Sequence, residues 1–282
     1  MIDSHSHIYS AEFDADRDQV VRRAREAGVT HVILPNENLA SLERLAAMHE
    51  RWPGYVSMTI GLHPEEIGPD YERELEAMHR KLLAAAACRY VAVGEIGIDL
   101  YWDASRRDEQ MQALDMQLHW CKEVGIPFIM HCRKGLDECL AVLDNFGEPL
   151  PRGVFHSFTG TAAQVEAVRR RGDFYFGVNG IVTFKKSDVP ALLPVIGLER
   201  ILLETDSPYL APVPKRGTRN ESCNIPLVAA CVARHLGVSV DEVERATDAG
   251  ARDLFFNRRE VCLLYTSPSP RDYLGSRMPS SA

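Results

Sequence analysis

The chain begins with two histidines two positions apart, in Asp3-Ser4-His5-Ser6-His7. On a β-strand over 1–8 both project from one face with Asp3 beneath them, because successive strand side chains alternate. Imidazole lone pairs converging on one point suit a divalent metal; the alternative is a pair of solvent-facing histidines on an edge strand. Further polar residues recur downstream, each following a short apolar run. They are Glu95 in Val93-Gly94-Glu95-Ile96-Gly97-Ile98-Asp99, His131, His156, and Asp206 in Leu203-Glu204-Thr205-Asp206-Ser207-Pro208. Burying two carboxylates beside four imidazoles is costly unless a metal compensates. Six ligands exceed what one zinc with an open position uses, and they suit two metals sharing a carboxylate. We therefore assign His5, His7 and Asp206 to one ion, His131 and His156 to the other, and Glu95 as the bridge.

Such a centre favours hydrolysis. Two dications against Glu95 and Asp206 leave the pocket at about +2, which welcomes an anionic substrate. The ions would acidify a bridging water, and Asp206 would orient that water or accept its proton. Arg133 falls two residues past His131, on the same strand face. It either pairs bidentately with a phosphate oxygen or forms a rim salt bridge, for example with Glu204.

These residues need elements that bring them together. After the first strand, helical periodicity over 14–28 is closed by Gly28, and a strand follows at 31–34. The alternation continues with helix 39–50, strand 55–61, helix 71–86, strand 90–95, helix 108–124, strand 128–131, helix 136–146 and strand 154–156. Helix 162–171, strand 174–178, helix 189–196, strand 201–204 and two closing helices, 225–235 and 240–256, complete it. Eight apolar strands separated by helices imply parallel pairing. A closed (β/α)8 barrel is the simplest α/β architecture with that count, an open doubly wound sheet being the competitor. In a barrel the named residues share the C-terminal mouth, where such folds place function.

Composition sets outer bounds. With 282 residues, 45% hydrophobic and 26% charged, the chain matches a soluble globular protein able to bury a large core. No 18-residue apolar run and no signal-peptide pattern occur, so we expect a cytoplasmic protein without membrane contact. The formal charge of −8 opposes nonspecific wrapping of nucleic acid, which needs many Lys and Arg contacts. Seven cysteines, scattered and without a CxxC pair, indicate neither disulfides nor a thiolate zinc site. Residues 1–257 are read as one domain. The stretch 258–282, rich in Ser and Pro, looks like appended, non-native sequence and is excluded from it.

Six ordered motifs carry a family resemblance. Asp3-Ser4-His5-Ser6-His7, Gly61-Leu62-His63-Pro64, Gly94-Glu95-Ile96-Gly97-Ile98-Asp99, His131-Cys132-Arg133, His156-Ser157-Phe158-Thr159-Gly160 and Glu204-Thr205-Asp206-Ser207-Pro208 together resemble the TatD family of metal-dependent deoxyribonucleases. The resemblance runs to about Asn257. It implies a TIM barrel of the metal-dependent hydrolase superfamily, a divalent-metal centre, and phosphodiester hydrolysis on DNA, often from the 3′ end of single strands. It sets His5, His7, Glu95, His131, His156 and Asp206 on the family's metal positions; we read Glu95 and Asp206 as the catalytic carboxylates. His63 and Arg133 fall on residues that line the family's site and touch phosphate, and Glu204 looks like the acid behind Asp206. Four imidazoles favour zinc or manganese, whereas abundance favours magnesium. Nothing calls for an obligate protein partner.

Weaker features surround these. Tyr101-Trp102 either stack a base or pack a loop. Lys185, Lys186, Arg216 and Arg219 either guide a backbone or are solvated surface. Asn224 reads as a helix N-cap, and His31, His49, His79, His119 and His235 as structural. Two rival functions remain: a metal-dependent amidohydrolase or lactonase acting on a small carbonyl substrate, and a binding module without turnover. Many of the former bridge their metals with a carboxylated lysine where this chain has Glu95, which favours the nuclease. The latter predicts affinity without product, whereas an enzyme loses its product in Asp206→Asn.

Overall fold

Short apolar runs become strands, and the amphipathic runs between them become helices. The computed structural model describes residues 1–85, 89–147 and 149–257. The 258–282 tail lies outside the described residues, as do Cys88 and Cys262. The strands are β1 (Ile2–Asp3), β2 (His31–Leu34), β3 (Val56–Ile60), β4 (Tyr90–Asp99), β5 (Phe128–Arg133), β6 (Gly153–Phe155), β7 (Tyr175–Val178) and β8 (Ile201–Leu203). The helices are α1 (Arg17–Glu26), α2 (Ser41–Arg51), α3 (Tyr71–Ala84), α4 (Arg107–Val124), α5 (Leu136–Phe146), α6 (Ala162–Arg169), α7 (Val189–Ile196), α8 (Ile225–Leu236) and α9 (Val240–Phe255).

Each strand pairs in parallel with the next, in the order β1 to β8, since every crossover helix returns the chain to the same end of the sheet. Ser4 N–H to the Leu203 carbonyl at 3.0 Å and His7 N–H to the Ser207 carbonyl at 2.8 Å join the first segment to the last. The result is the (β/α)8 TIM barrel that the strand count implied.

Strand alternation sorts the core into two parts. Outward residues such as Val32, Leu34, Met58, Phe128 and Phe155 pack against the helices, each worth roughly 1.5–3 kcal/mol when buried. Inward residues Ile2, Ile33, Ile129, Val154 and Leu202 meet Ala251, Leu254 and Phe255 of α9. That helix covers the N-terminal end of the barrel, and the opposite mouth is left to polar residues. Among the described residues, no single helix is long and apolar enough to cross a membrane.

Two departures from the expected strand bounds matter for the site. β1 is shorter than 1–8 because the buried Asp3 carboxylate accepts from Thr205 N–H (2.9 Å), Thr205 Oγ1 (2.6 Å) and His5 N–H (3.4 Å), in place of a regular ladder. Asp3 therefore ties β1 to the segment after β8, and burial pushes its carboxyl up to about 7. β4 is longer than 90–95, running to Asp99 with a register shift against β5 between Val93 and Ile96. Such a bulge re-aims a side chain, and it lies at Glu95. Gly97 permits the extension: its φ is +144°, and a Cβ there would stand 1.9 Å from the His131 carbonyl.

Candidate metal centre at the barrel mouth

The C-terminal strand ends deliver every ligand candidate to one place. His5 and His7 follow β1, Glu95 and His131 lie within β4 and β5, His156 follows β6, and Asp206 follows β8. Lys134, Ser157 and Asp206 take left-handed φ values of 60°, 49° and 56° just after β5, β6 and β8. That conformation costs a non-glycine residue roughly 1–2 kcal/mol and clusters at functional sites.

Glu95 stands at the centre and turns its two oxygens to different partners. Oε2 lies 3.1 Å from His5 Nε2 and 3.8 Å from His7 Nε2. Oε1 lies 2.9 Å from His131 Nδ1, 2.9 Å from His156 Nε2 and 3.5 Å from His63 Nε2. Asp206 Oδ1 joins the first group, 3.8 Å and 3.6 Å from the Nε2 atoms of His5 and His7. The backbone that carries it is fixed from behind: Glu95 N–H donates to the Asn36 carbonyl at 2.8 Å, and Asn36 N–H donates to the Gly94 carbonyl at 3.0 Å.

These separations fit metal coordination. Donors about 2.0–2.2 Å from one ion stand roughly 3.3–3.6 Å apart in a tetrahedron and roughly 2.9 Å apart in an octahedron. His5 Nε2 and His7 Nε2 face each other at 3.2 Å, so something must reconcile two ring nitrogens that are both acceptors in their ligating form. His5 Nδ1, His156 Nδ1 and Glu204 Oε2 are buried without a hydrogen-bond partner. Among the described residues four groups hold their ligand atoms within 4.8 Å of one another: His5–His7–Asp206, His5–His156–Glu204, His63–Glu95–His131 and Glu65–Asp99–His131.

Charge reinforces this arrangement. Burial opposes ionisation of Glu95, yet the surrounding histidines hold its carboxyl well below the usual range. Asp206 is likewise lowered, burial being outweighed by the hydrogen bond to His7 and by the neighbouring imidazoles. Burial opposes protonation of His131 as well, but hydrogen bonds to Asp99 and Glu95 raise it to about 9. Carboxylates held ionised among imidazoles form a cluster in which a divalent cation can take the place of the imidazole protons.

The comparisons with known proteins agree with the geometry. The family model described as TatD related DNase matches residues 2–256. The chain belongs to the TatD related DNase family. With the TatD family come phosphodiester hydrolysis and dependence on metal. A protein of Cronobacter sakazakii named 3'-5' ssDNA/RNA exonuclease TatD is 38% identical over 262 residues, covering 90% of this chain and 97% of that one. Its namesake in Erwinia billingiae is 36% identical over 261 residues, covering 90% and 98%. The crystal structure of YJJV, a TatD homolog from Escherichia coli, superposes with a TM-score of 0.83 at 29% identity, covering 90% and 97%.

Within this TatD framework several sequence expectations shift. Glu204, expected behind Asp206, instead lies behind His156: its Oε1 is 3.5 Å from His156 Nδ1 and accepts from Ser157 N–H at 2.7 Å. Arg133 makes no bridge to Glu204. Its guanidinium lies over the Tyr101 ring, 3.9 Å from the centroid. His63 accepts Glu65 N–H on Nδ1, lines the mouth cavity and turns Nε2 toward Glu95 Oε1 at 3.5 Å. Arg219 pairs with Asp16 and Glu221 on the outside of the barrel, and Arg216 lies over Phe184. Neither they nor Lys185 and Lys186 line the cavity. Asn224 precedes α8, but its amide donates to Asn220 Oδ1 instead of capping the helix. His31 bonds Ser57 and His79 bonds Glu123, away from the mouth.

Sequence reasoning missed three supporting groups. Asp99 Oδ2 lies 2.9 Å from His131 Nε2, the nitrogen turned away from Glu95. Tyr9 Oη lies 3.0 Å from His7 Nδ1, with Glu37 Oε1 3.5 Å from the same atom. The alternation Glu95-x-Gly97-x-Asp99 is the signal for Asp99, because a strand read through Ile98 sets it on the Glu95 face. The mouth opens as a cavity of about 630 Å3 lined by His7, His131, Arg133, Trp102, Asp206 and Tyr209, among others. A similar hollow between α1 and α2 is lined by Asp14, Arg17, Arg44 and Arg51, whose charges are already paired.

Proposed function

We propose that this chain is a two-ion nuclease that removes nucleotides one at a time from the 3′ end of single-stranded DNA. The observation that carries the reading is the division of the Glu95 oxygens between two donor sets. His5, His7, Asp206 and Glu95 Oε2 would hold one divalent ion, and Glu95 Oε1, His131 and His156 a second, with His63 beside it. Four ligating imidazoles favour zinc or manganese by ligand type. When bound, such a pair acidifies a water and offsets charge on the phosphoryl group under attack. Asp206, a carboxylate at the same centre, would orient that water or accept its proton. Arg133 pairs with a non-bridging phosphate oxygen, a contact its fork of donors suits. Glu204 fixes the His156 ring. The relatives' name, 3'-5' ssDNA/RNA exonuclease, supports the substrate class and polarity. Five free cysteines among the described residues accord with a reducing cytoplasm.

Short single strands labelled at either end test the reading in manganese, magnesium or zinc. A 3′ label is expected to leave as a mononucleotide, while a 5′-labelled strand shortens stepwise. Chelator stops both, and Asp206→Asn lowers kcat by roughly 10²–10⁴-fold. Internal cuts from the first time point, or digestion unaffected by chelator, would overturn the proposal.

A further inference from the structure

Several arginines of this chain are neutralised by acids: Arg23 by Glu221, Arg107 by Glu138, Arg171 by Asp144. Arg133, at the mouth, is held differently. Its guanidinium carbon lies 3.9 Å from the Tyr101 ring centroid and 5.2 Å from that of Trp102. Among the described residues, no carboxylate pairs with it. A guanidinium held over ring faces keeps its N–H donors for another partner, and one that is not already neutralised suits an anion.

Tyr101 and Trp102 are 51% and 66% exposed, which is more surface than loop packing explains. Their rings stand edge to face at 4.8 Å, and Trp102 lines the cavity beside Arg133 and His131. The pair is also fixed in place. Tyr101 N–H donates to Asp99 Oδ1 at 2.8 Å, and the other oxygen of that carboxylate meets His131 Nε2 at 2.9 Å. Gln110 braces Asp99 through its backbone N–H (2.8 Å) and carbonyl (3.1 Å). One buried acid thus holds the aromatic ledge in register with the reacting centre.

We infer that Trp102 is the stacking platform for an unpaired base beside the scissile phosphate, and that this ledge selects single strands. The inference rests on the nuclease reading above. An indole next to a cation with unused donors matches a base next to its phosphate, and every base has a face to stack. In a duplex both faces of an interior base are occupied by neighbours and its edge is paired, so an indole competes for it poorly. An unpaired terminal base offers a free face.

The test crosses two deletions. Wild type, Trp102→Ala and Trp102→Phe are assayed on a single strand carrying an abasic sugar at each of its last three positions in turn. Trp102→Ala is expected to raise KM for the intact strand roughly five- to 150-fold, the range of base–aromatic stacking. At one position the abasic sugar raises wild-type KM by a similar factor. Combining the two changes there costs no more than either alone, and Trp102→Phe recovers most of the loss. The wild-type preference for single strands over blunt duplex shrinks in Trp102→Ala. Losses that multiply at all three positions, or an unchanged KM in Trp102→Ala, would overturn the ledge while leaving the nuclease reading intact. Failure of wild type to release nucleotides from any strand with any of the three metals removes both.

Discussion

Glu95 shows how much one side chain can organise. Its carboxylate is buried, its oxygens point to separate histidine groups, and the backbone of Asn36 holds its peptide. His131 then depends on a second acid, because its Nε2 meets Asp99 while its Nδ1 meets Glu95. A partner of this kind fixes the tautomer and raises the basicity of a ligating imidazole. Asp99→Asn is therefore expected to weaken divalent-ion affinity roughly 10–100-fold, measured by titration calorimetry on metal-free protein. Unchanged affinity would show that His131 needs no such partner. The candidate ligands were legible in the sequence because residue type and strand-end position suffice to suggest them. Asp99 could have been found from its alternation with Glu95, but Tyr9 and the true neighbour of Glu204 could not, since a supporting contact depends on which ring nitrogen faces which strand, a fact that only the packed barrel supplies.

At the scale of elements, strand and helix existence followed from periodicity, whereas the boundaries that matter were set by tertiary contacts. β1 stops early because Asp3 takes over the hydrogen bonds of Thr205, and β4 continues because Gly97 lets it pass close to β5. The start of α1 shows the same override. Asp16 stands at its N-cap position without capping and instead binds Arg219 through both oxygens at 2.8 Å, with Arg23 at 3.0 Å. The hydrogen bond to Arg219, then that to Arg23, lowers its carboxyl to about 2. A depressed folded-state pKa adds stability that is complete above the unfolded value near 3.8 and is lost as pH falls toward about 2. Asp16→Asn is thus expected to cost about 1 kcal/mol at neutral pH, the scale of a partly exposed ion pair, and progressively less below about pH 4. Urea midpoints of both proteins at several pH values check this. A deficit that stays constant down to pH 2 would contradict the role of the ion pairs.

For the whole molecule, eight strand–helix alternations were enough to indicate a barrel, but its closure was not readable from the sequence. It rests on Ser4 and His7 reaching Leu203 and Ser207, residues about 200 positions apart whose pairing no local pattern announces. The N-terminal end is sealed by α9, which the Met1 ammonium meets through Glu244 at 2.9 Å. The polar mouth lies opposite. A chain of formal charge −8 thereby concentrates candidate cation-binding groups at one pole, where ions, once bound, would reverse the local sign and suit a polyanion. Two ions sharing Glu95 are the centre of this picture. The most direct measurement is elemental analysis of the metal-free protein after equilibrium dialysis against manganese or zinc. Wild type is expected to retain two ions per chain and Glu95→Gln fewer than one, with both variants folded by circular dichroism. A single ion in wild type, or two retained in Glu95→Gln, would contradict it.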